Sequence, residues 1–201
     1  MKKDNYALQA AQAKERFLTY DQQRLIEKFG LRHDERYLYP VLFGQTYRIC
    51  RRTGDLEKQR QGIWADANTH AEVLTLFDLL CDSQPDRHIS GQWKNMGAFG
   101  MLFHQNLLED KKDSAAALFD REPERLRRNL AKLGARPGPG GDISGVVEVF
   151  DGLPLAVQFW HGDEEFPPRL RYLWDENALQ YIRYETMFYA VPLLLKRLME
   201  D

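Results

Sequence analysis

The sequence predicts an α+β fold, with an antiparallel sheet packed with helices and a long C-terminal helix. Three observations carry that prediction. Residues 143–174 alternate in three strand-like runs, broken at Asp151-Gly152 and again from Asp163 to Pro168. Residues 69–81 carry Val73, Leu76, Phe77 and Leu80 at helical spacing behind a Thr69–Glu72 capping pattern. Ala135 to Asp142, rich in proline and glycine, separates a largely helical half from a strand-rich one.

The elements follow in chain order. Residues 5–29 read as one N-terminal helix, with Leu8, Phe17, Leu18, Leu25, Ile26 and Phe29 near one face and Gly30 closing it. Tyr37, Tyr39, Val41 and Phe43 alternate, and Tyr47 and Ile49 alternate after Gly44. Residues 37–51 thus read as a strand pair turning at Gly44-Gln45, with Pro40 placing its strand at a sheet edge. Thr53-Gly54-Asp55 marks the next turn. Beyond the 69–81 helix, the aromatic stretch 90–110 is punctuated by Gly91, Gly97 and Gly100. It reads as a loop followed by a helix from about Ala98 to Leu108.

A further helix starts at Ser114, breaks before Pro123 and continues to Leu133, with Gly134 as its C-terminal cap. The 135–142 breaker reads as a loop inside one domain, residues 1–201, because the length is modest for two independent cores. The C-terminal half, 143–201, then holds three strands and a long final helix. Asp175 or Asn177 caps that helix, Leu179, Ile182, Thr186 and Tyr189 share one side, and Pro192 kinks or restarts it. The 37–51 and 143–174 strands are expected to form one sheet.

Composition narrows the function. Hydrophobic residues at 43% and charged residues at 29% suit a soluble globular protein. A formal net charge of -2 argues against a dedicated nucleic-acid binder, which needs a dense cationic face. No apolar run of eighteen residues offers a membrane span. The residues after Met1 lead into a polar amphipathic stretch, so a cytoplasmic location is expected. Cys50 and Cys81 are isolated, which excludes a disulfide framework and a self-contained iron–sulfur site.

The stretch richest in chemistry is Phe159-Trp160-His161-Gly162-Asp163-Glu164-Glu165-Phe166-Pro167-Pro168. Carboxylates crowded this way repel one another unless a cation, a base or water separates them. His161, Asp163 and Glu165 could ligate a divalent metal, with Glu164 as a base. For the turn taken alone, acids simply solvated in a polar hairpin loop are the preferred account. Trp160 and Trp174, with Tyr181, Tyr184 and Tyr189, could wall a pocket for a flat ligand. Core packing between sheet and helix is the preferred account of them. Glu185, among these aromatics, needs a partner if buried, and Arg169, Arg171 and Arg183 are available.

Other groups read as structural first. Asp66, Asn68 and His70 stand at a helix start, where Asn68 and Thr69 read as capping residues and His70 as first-turn filler in preference to a ligand site. His104 suits a core histidine. The cations of Arg121 to Arg136 suit a solvated face better than a phosphate site.

Gly141-Asp142, Leu153-Pro154-Leu155, Phe159 to Pro167, Leu173-Trp174-Asp175 and Glu185 together resemble the family known as domain of unknown function 3786. Phe43-Gly44 with Tyr47, and the loop around Trp93, are similar too. The resemblance implies a bacterial or archaeal protein, mostly from anaerobes. It implies company with iron–sulfur modules or with corrinoid and one-carbon metabolism, and it brings no established activity. The chain lacks the cysteine-rich iron–sulfur segment that some relatives carry.

The function expected is therefore non-catalytic binding of a small molecule or metal-containing cofactor, with a divalent metal or a corrinoid as candidates. An iron–sulfur or corrinoid protein is the candidate partner. The ligand-binding candidates are Trp160, His161, Asp163, Glu164, Glu165, Trp174, Asp175 and Glu185. A metal-dependent hydrolase and a protein–protein scaffold are the alternatives.

Overall fold

A computed structural model of the protein describes residues 5–100 and 106–201, leaving aside the side chains of 106–113. The chain divides into two compact units. One holds the residues up to His88 with Leu179–Ala190; the other holds Ile89–Ala178 with Val191–Asp201.

In the first unit the N-terminal helix is two helices, α1 (Asn5–Thr19) and α2 (Gln22–Phe29). Asp21 breaks them. Its carboxylate accepts the N–H groups of Gln23 and Arg24 at 3.0 and 3.3 Å and so caps α2. The apolar stripe ran through the break because Phe17, Leu25 and Ile26 are all buried. Gly30 closes α2 in the left-handed region, as expected.

The sheet of this unit uses β1 (Arg32–His33), β2 (Tyr37–Tyr39), β3 (Val41–Leu42), β4 (Gln45–Cys50), β5 (Leu56–Arg60) and β6 (Ile63–Asp66). The order is β1-β2-β4-β5-β6, all antiparallel, with β3 also paired to β4. Pro40 is not on an edge. β2 lies between β1 and β4, and Pro40 occupies the gap before β3, where no ladder N–H is required. Helix α3 (His70–Asp82) starts at the expected capping box: Thr69 Oγ1 accepts the Glu72 N–H at 3.3 Å and donates to its carboxylate at 2.7 Å. Glu72 is buried, receives the Tyr47 hydroxyl at 3.1 Å and pairs with Lys58, tying helix to sheet. Leu38, Ile49 and Leu56 from the sheet and Phe17, Leu76 and Phe77 from the helices are fully buried. Phe17 and Phe77 stack with ring centres 4.7 Å apart.

The second unit carries the three-strand meander the sequence predicts: β9 (Ile143–Phe150), β10 (Leu153–Trp160) and β11 (Arg169–Asp175). β7 (Trp93–Lys94) and β8 (Arg136–Pro137) extend it into a separate five-stranded sheet, β7-β11-β10-β9-β8. The expected single sheet is thus two. Hydrophobic alternation shows which face of a strand is buried but not which strand it pairs with. Asp151 and Gly152 both take left-handed φ, 50° and 78°, as a two-residue hairpin turn requires. Pro154 sits at a register shift in β10, which spares it a ladder bond.

Helices α4 (Asn106–Arg121) and α5 (Pro123–Lys132) pack on β11 and β9, and the expected break falls before Pro123. The loop around 135–142 lies inside this unit rather than at a boundary. A one-turn 3-10 helix, Met96–Phe99, stands in the stretch expected to be a helix from about Ala98.

The final helix α6 (Tyr184–Leu198) starts later than expected and runs through Pro192. Asp175 does not cap it. Its carboxylate accepts Asn177 N–H at 2.9 Å in the preceding turn. Asn129 of α5 anchors the last residues, donating to the carbonyls of Leu198 and Glu200 at 2.8 and 2.7 Å.

Candidate functional site

The acidic segment 161–168 joins β10 to β11. Asp163 Oδ1 accepts the N–H groups of Glu165 at 2.9 Å and Phe166 at 2.7 Å, and Asp163 N–H donates to the Phe166 carbonyl at 2.9 Å. Asp163 therefore shapes the turn. His161 N–H donates to Asp142 at 2.8 Å, and His161 Nδ1 lies 2.8 Å from Asp120 Oδ1 on α4. Asp120 also accepts Gly162 N–H at 3.2 Å. The His161 bond first, and that amide second, hold the Asp120 carboxyl below its ordinary range. A Cβ on Gly162 would stand 2.8 Å from Pro168 Cδ, so glycine lets the arms of the turn close.

Glu164 and Glu165 remain exposed beside Phe166, itself 66% exposed. Asp120 and residues 162–168 line an open depression of about 540 Å³. Among the described residues no three His, Cys, Asp or Glu side chains gather as a metal site. His161, Asp163 and Glu165 share a turn without forming a ligand set.

The neighbouring candidates are structural. Trp174 is fully buried in the core of the second unit. Among the described residues its Nε1 and the Tyr172 hydroxyl have no partner, and burial pushes the Tyr172 hydroxyl up. Trp160 is half-buried, with the Arg171 guanidinium 5.5 Å from its ring centre. Asp175 accepts Ser90 N–H and Oγ–H at 3.0 and 3.1 Å and Gly91 N–H at 2.8 Å, besides Asn177. That carboxylate latches the 90–91 loop to the end of β11 and has little left for a ligand. Tyr181, Tyr184 and Tyr189 belong to the first unit, Trp160 and Trp174 to the second.

Glu185 is different. It lies exposed in the first turn of α6, so it needs no buried partner, and it lines a half-open cavity of about 370 Å³ at the surface of the first unit. α1 contributes Gln9, Gln12, Ala13 and Arg16 to its wall. α3 contributes Leu74 and Asp78, and the start of α6 contributes Thr186 and Tyr189, with Arg183 just before it. Asp78 and Asp82 are one helical turn apart, so both reach Arg16: Nη2 donates to Asp78 and Nη1 to Asp82, each at 2.7 Å. The Thr186 hydroxyl also donates to Asp78, and Arg183 Nε lies 2.8 Å from Asp82.

Burial opposes the Arg16 cation, but the Asp78 bond and the charges of Asp82 and Asp78 outweigh it and raise its pKa. Burial, reinforced by Asp78, pushes Asp82 above its ordinary value despite Arg16 and Arg183. Arg183, one of three partners expected for Glu185, is turned to Asp82 instead. His70 Nε2 lies 2.8 Å from Gln9 Oε1, and its ring meets Tyr6 and Tyr189 edge-on, both at 4.7 Å.

The model of a domain of unknown function, DUF3786, matches residues 21–197. The chain belongs to that family. Comparison with curated proteins and with solved structures returns no match. The DUF3786 match takes in the acidic turn and the α3 and α6 walls of the cavity. The wall from α1, with Arg16, lies outside it.

Asn68 holds the start of β5 and does not cap α3, whose cap is Thr69. Asn68 Oδ1 accepts Leu56 N–H at 3.0 Å and Lys14 Nζ at 2.7 Å, while its amide donates to the Leu56 carbonyl at 3.1 Å. Arg125 and Arg127 pair with Glu122 and Glu124 on α5. His104 lies outside the described residues. Cys81 is buried, and burial pushes its thiol up to about 12, so it is a poor nucleophile. No helix among the described residues is long and apolar enough to cross a membrane.

Proposed function

We propose that this DUF3786 chain is a cytoplasmic, non-catalytic binding protein for a small polar molecule, held in the cavity of its first unit. The observation that carries the reading is the cavity itself. It falls in the size range of metabolite pockets. It carries both signs of charge, and its buried carboxylate, Asp78, is fixed by Arg16 and Thr186. A carboxylate fixed by two partners can serve as a wall that orients a ligand.

The family resemblance supports a role as an accessory in anaerobic iron–sulfur or corrinoid metabolism. A corrinoid ring is larger than this cavity, so such a link would run through a partner protein. The metal-dependent hydrolase reading draws no support from the turn, because among the described residues His161, Asp163 and Glu165 do not gather as a ligand set.

The test is native mass spectrometry of protein purified anaerobically from its own host. A bound small molecule is expected, and Gln12→Trp, which fills the cavity from its exposed α1 wall, should lose it. Bare chain mass for the wild type, or equal retention by the variant, would overturn the assignment.

A second reading has one observation behind it. The rigid turn presents Phe166 between two exposed acids and two prolines, which suits a partner with a basic, apolar surface.

A further inference from the structure

The charged groups around the cavity fall into two sets. In the inner set both terminal nitrogens of Arg16 and both oxygens of Asp78 have partners, and one oxygen of Asp82 takes both Arg16 and Arg183; Arg16 Nε alone has none among the described residues. The outer set is open. Arg183 uses only its Nε among the described residues, and its side chain is 55% exposed. The Glu185 carboxylate has no hydrogen bond or ion pair among the described residues. The Gln12 amide is likewise uncommitted. Arg183 and Glu185 carry opposite charges and line the same cavity, yet they do not pair with each other. Two residues apart at a helix start, they point in different directions.

Tyr189 lies one turn beyond Glu185, on the same side of α6, and its ring is part of the same wall. That spacing and the shared wall set the Glu185 carboxylate beside the ring; burial first, then the charges of Tyr6 and Glu185, raises the Tyr189 hydroxyl. A carboxylate beside an aromatic face is a recognition pair for an ammonium group. A guanidinium with two free terminal nitrogens beside an amide is one for a carboxylate.

We infer that the ligand is a small amino-acid-like zwitterion, its carboxylate at Arg183 and Gln12 and its ammonium at Glu185 and Tyr189. This rests on the binding reading above and narrows it. A singly charged ligand would leave one open group unmatched.

Isothermal titration of the full chain tests it. The probes are the common L-amino acids, β-alanine and glycine betaine, with propylamine and propionate as singly charged controls. The best zwitterion should bind about tenfold more tightly than either control, the worth of one charge-assisted contact. Glu185→Gln, which breaks no bond of the fold, should bring that zwitterion down to the level of propionate. Arg183→Gln should bring it down to the level of propylamine. Glycine betaine, whose quaternary ammonium has no N–H for Glu185, should bind more weakly than the primary amino acids; tighter binding by betaine would overturn the Glu185 contact.

Controls that bind as well as zwitterions, an unchanged affinity in Glu185→Gln, or no binding by any probe would each overturn the inference. The binding reading fails separately. If native mass spectrometry shows a ligand that Gln12→Trp loses while no zwitterion binds, the cavity stands and the ligand class falls.

Discussion

In the turn between β10 and β11, Asp163 gives its carboxylate to two backbone amides. On α3, Asp78 gives its carboxylate to Arg16, 62 residues away in sequence, and to Thr186, 108 residues away. Both are acids in crowded acidic surroundings, yet the outcomes differ. Acids adjacent in sequence are satisfied locally and build a turn. Acids one helical turn apart share a face, and that face draws cations and hydroxyls from other elements. Proximity in sequence made the first cluster conspicuous, and tertiary convergence assembled the second.

The largest expected effect tests whether the strands around the turn are held by packing rather than by its charges. Trp174→Ala should cost about 3–5 kcal/mol in urea denaturation, the usual penalty for deleting a buried aromatic. A loss below about 1 kcal/mol would show that the core of the second unit does not depend on Trp174. Next comes Asp78→Ala, which strips Arg16 of one partner and leaves the Thr186 hydroxyl unbonded. It should cost about 3 kcal/mol, because breaking an ion pair at a nearly buried carboxylate leaves its cation underpaired. A neutral result would mean that the Asp78–Arg16 contact does not persist in solution.

Smaller again is Asp163→Ala, which frees two exposed amides of the turn and should cost about 1 kcal/mol. Glu165→Gln should change stability by less than about 0.5 kcal/mol, since its side chain is exposed. If the two costs were equal, Asp163 would not be the residue that shapes the turn.

These contrasts also explain what the sequence could disclose. The 143–174 meander was legible because its strands alternate and its turns carry Asp-Gly and a Pro-Pro stop. The α3 start was legible from Thr69 and Glu72. The β5–β6 hairpin was not, because Leu56-Glu57-Lys58-Gln59-Arg60 is polar on both faces and its Gln61-Gly62 turn lacks the usual Asn or Asp. The break at Asp21 was masked by an apolar stripe that continues across it.

Of the eight candidate ligand residues, Glu185 alone lines the cavity, while Asp175 and Trp174 serve the fold. Arg16 read as one polar residue on an amphipathic helix. One signal was available: Asp78 interrupts the apolar run Leu76-Phe77-Asp78-Leu79-Leu80, and a charge in a buried stripe requires a partner. Nothing in the sequence could say that the partner is Arg16.

The smallest effect separates the two clusters by sign. Asp120, beneath the turn, has its pKa lowered, first by the His161 bond and then by the Gly162 amide. Its contribution to stability is present above the ordinary aspartate value of 3.8 and is lost as pH falls through the lower folded value. Asp82 has its pKa raised, first by burial. Its folded form binds a proton more tightly than the unfolded chain does. That contribution is present below 3.8 and is lost as pH rises through the higher folded value. Urea denaturation over a series of acidic pH values should therefore respond in opposite ways to two conservative substitutions. Asp120→Asn should flatten the loss of stability toward the acid end. Asp82→Asn should remove a decline that sets in as pH rises above the ordinary aspartate value. The Asp120 change should be slight, because that carboxylate is screened by solvent. Slopes that change in the same direction in both variants would mean that burial does not dominate at Asp82, and the contrast between an exposed turn and a desolvated helix face would lose its electrostatic basis.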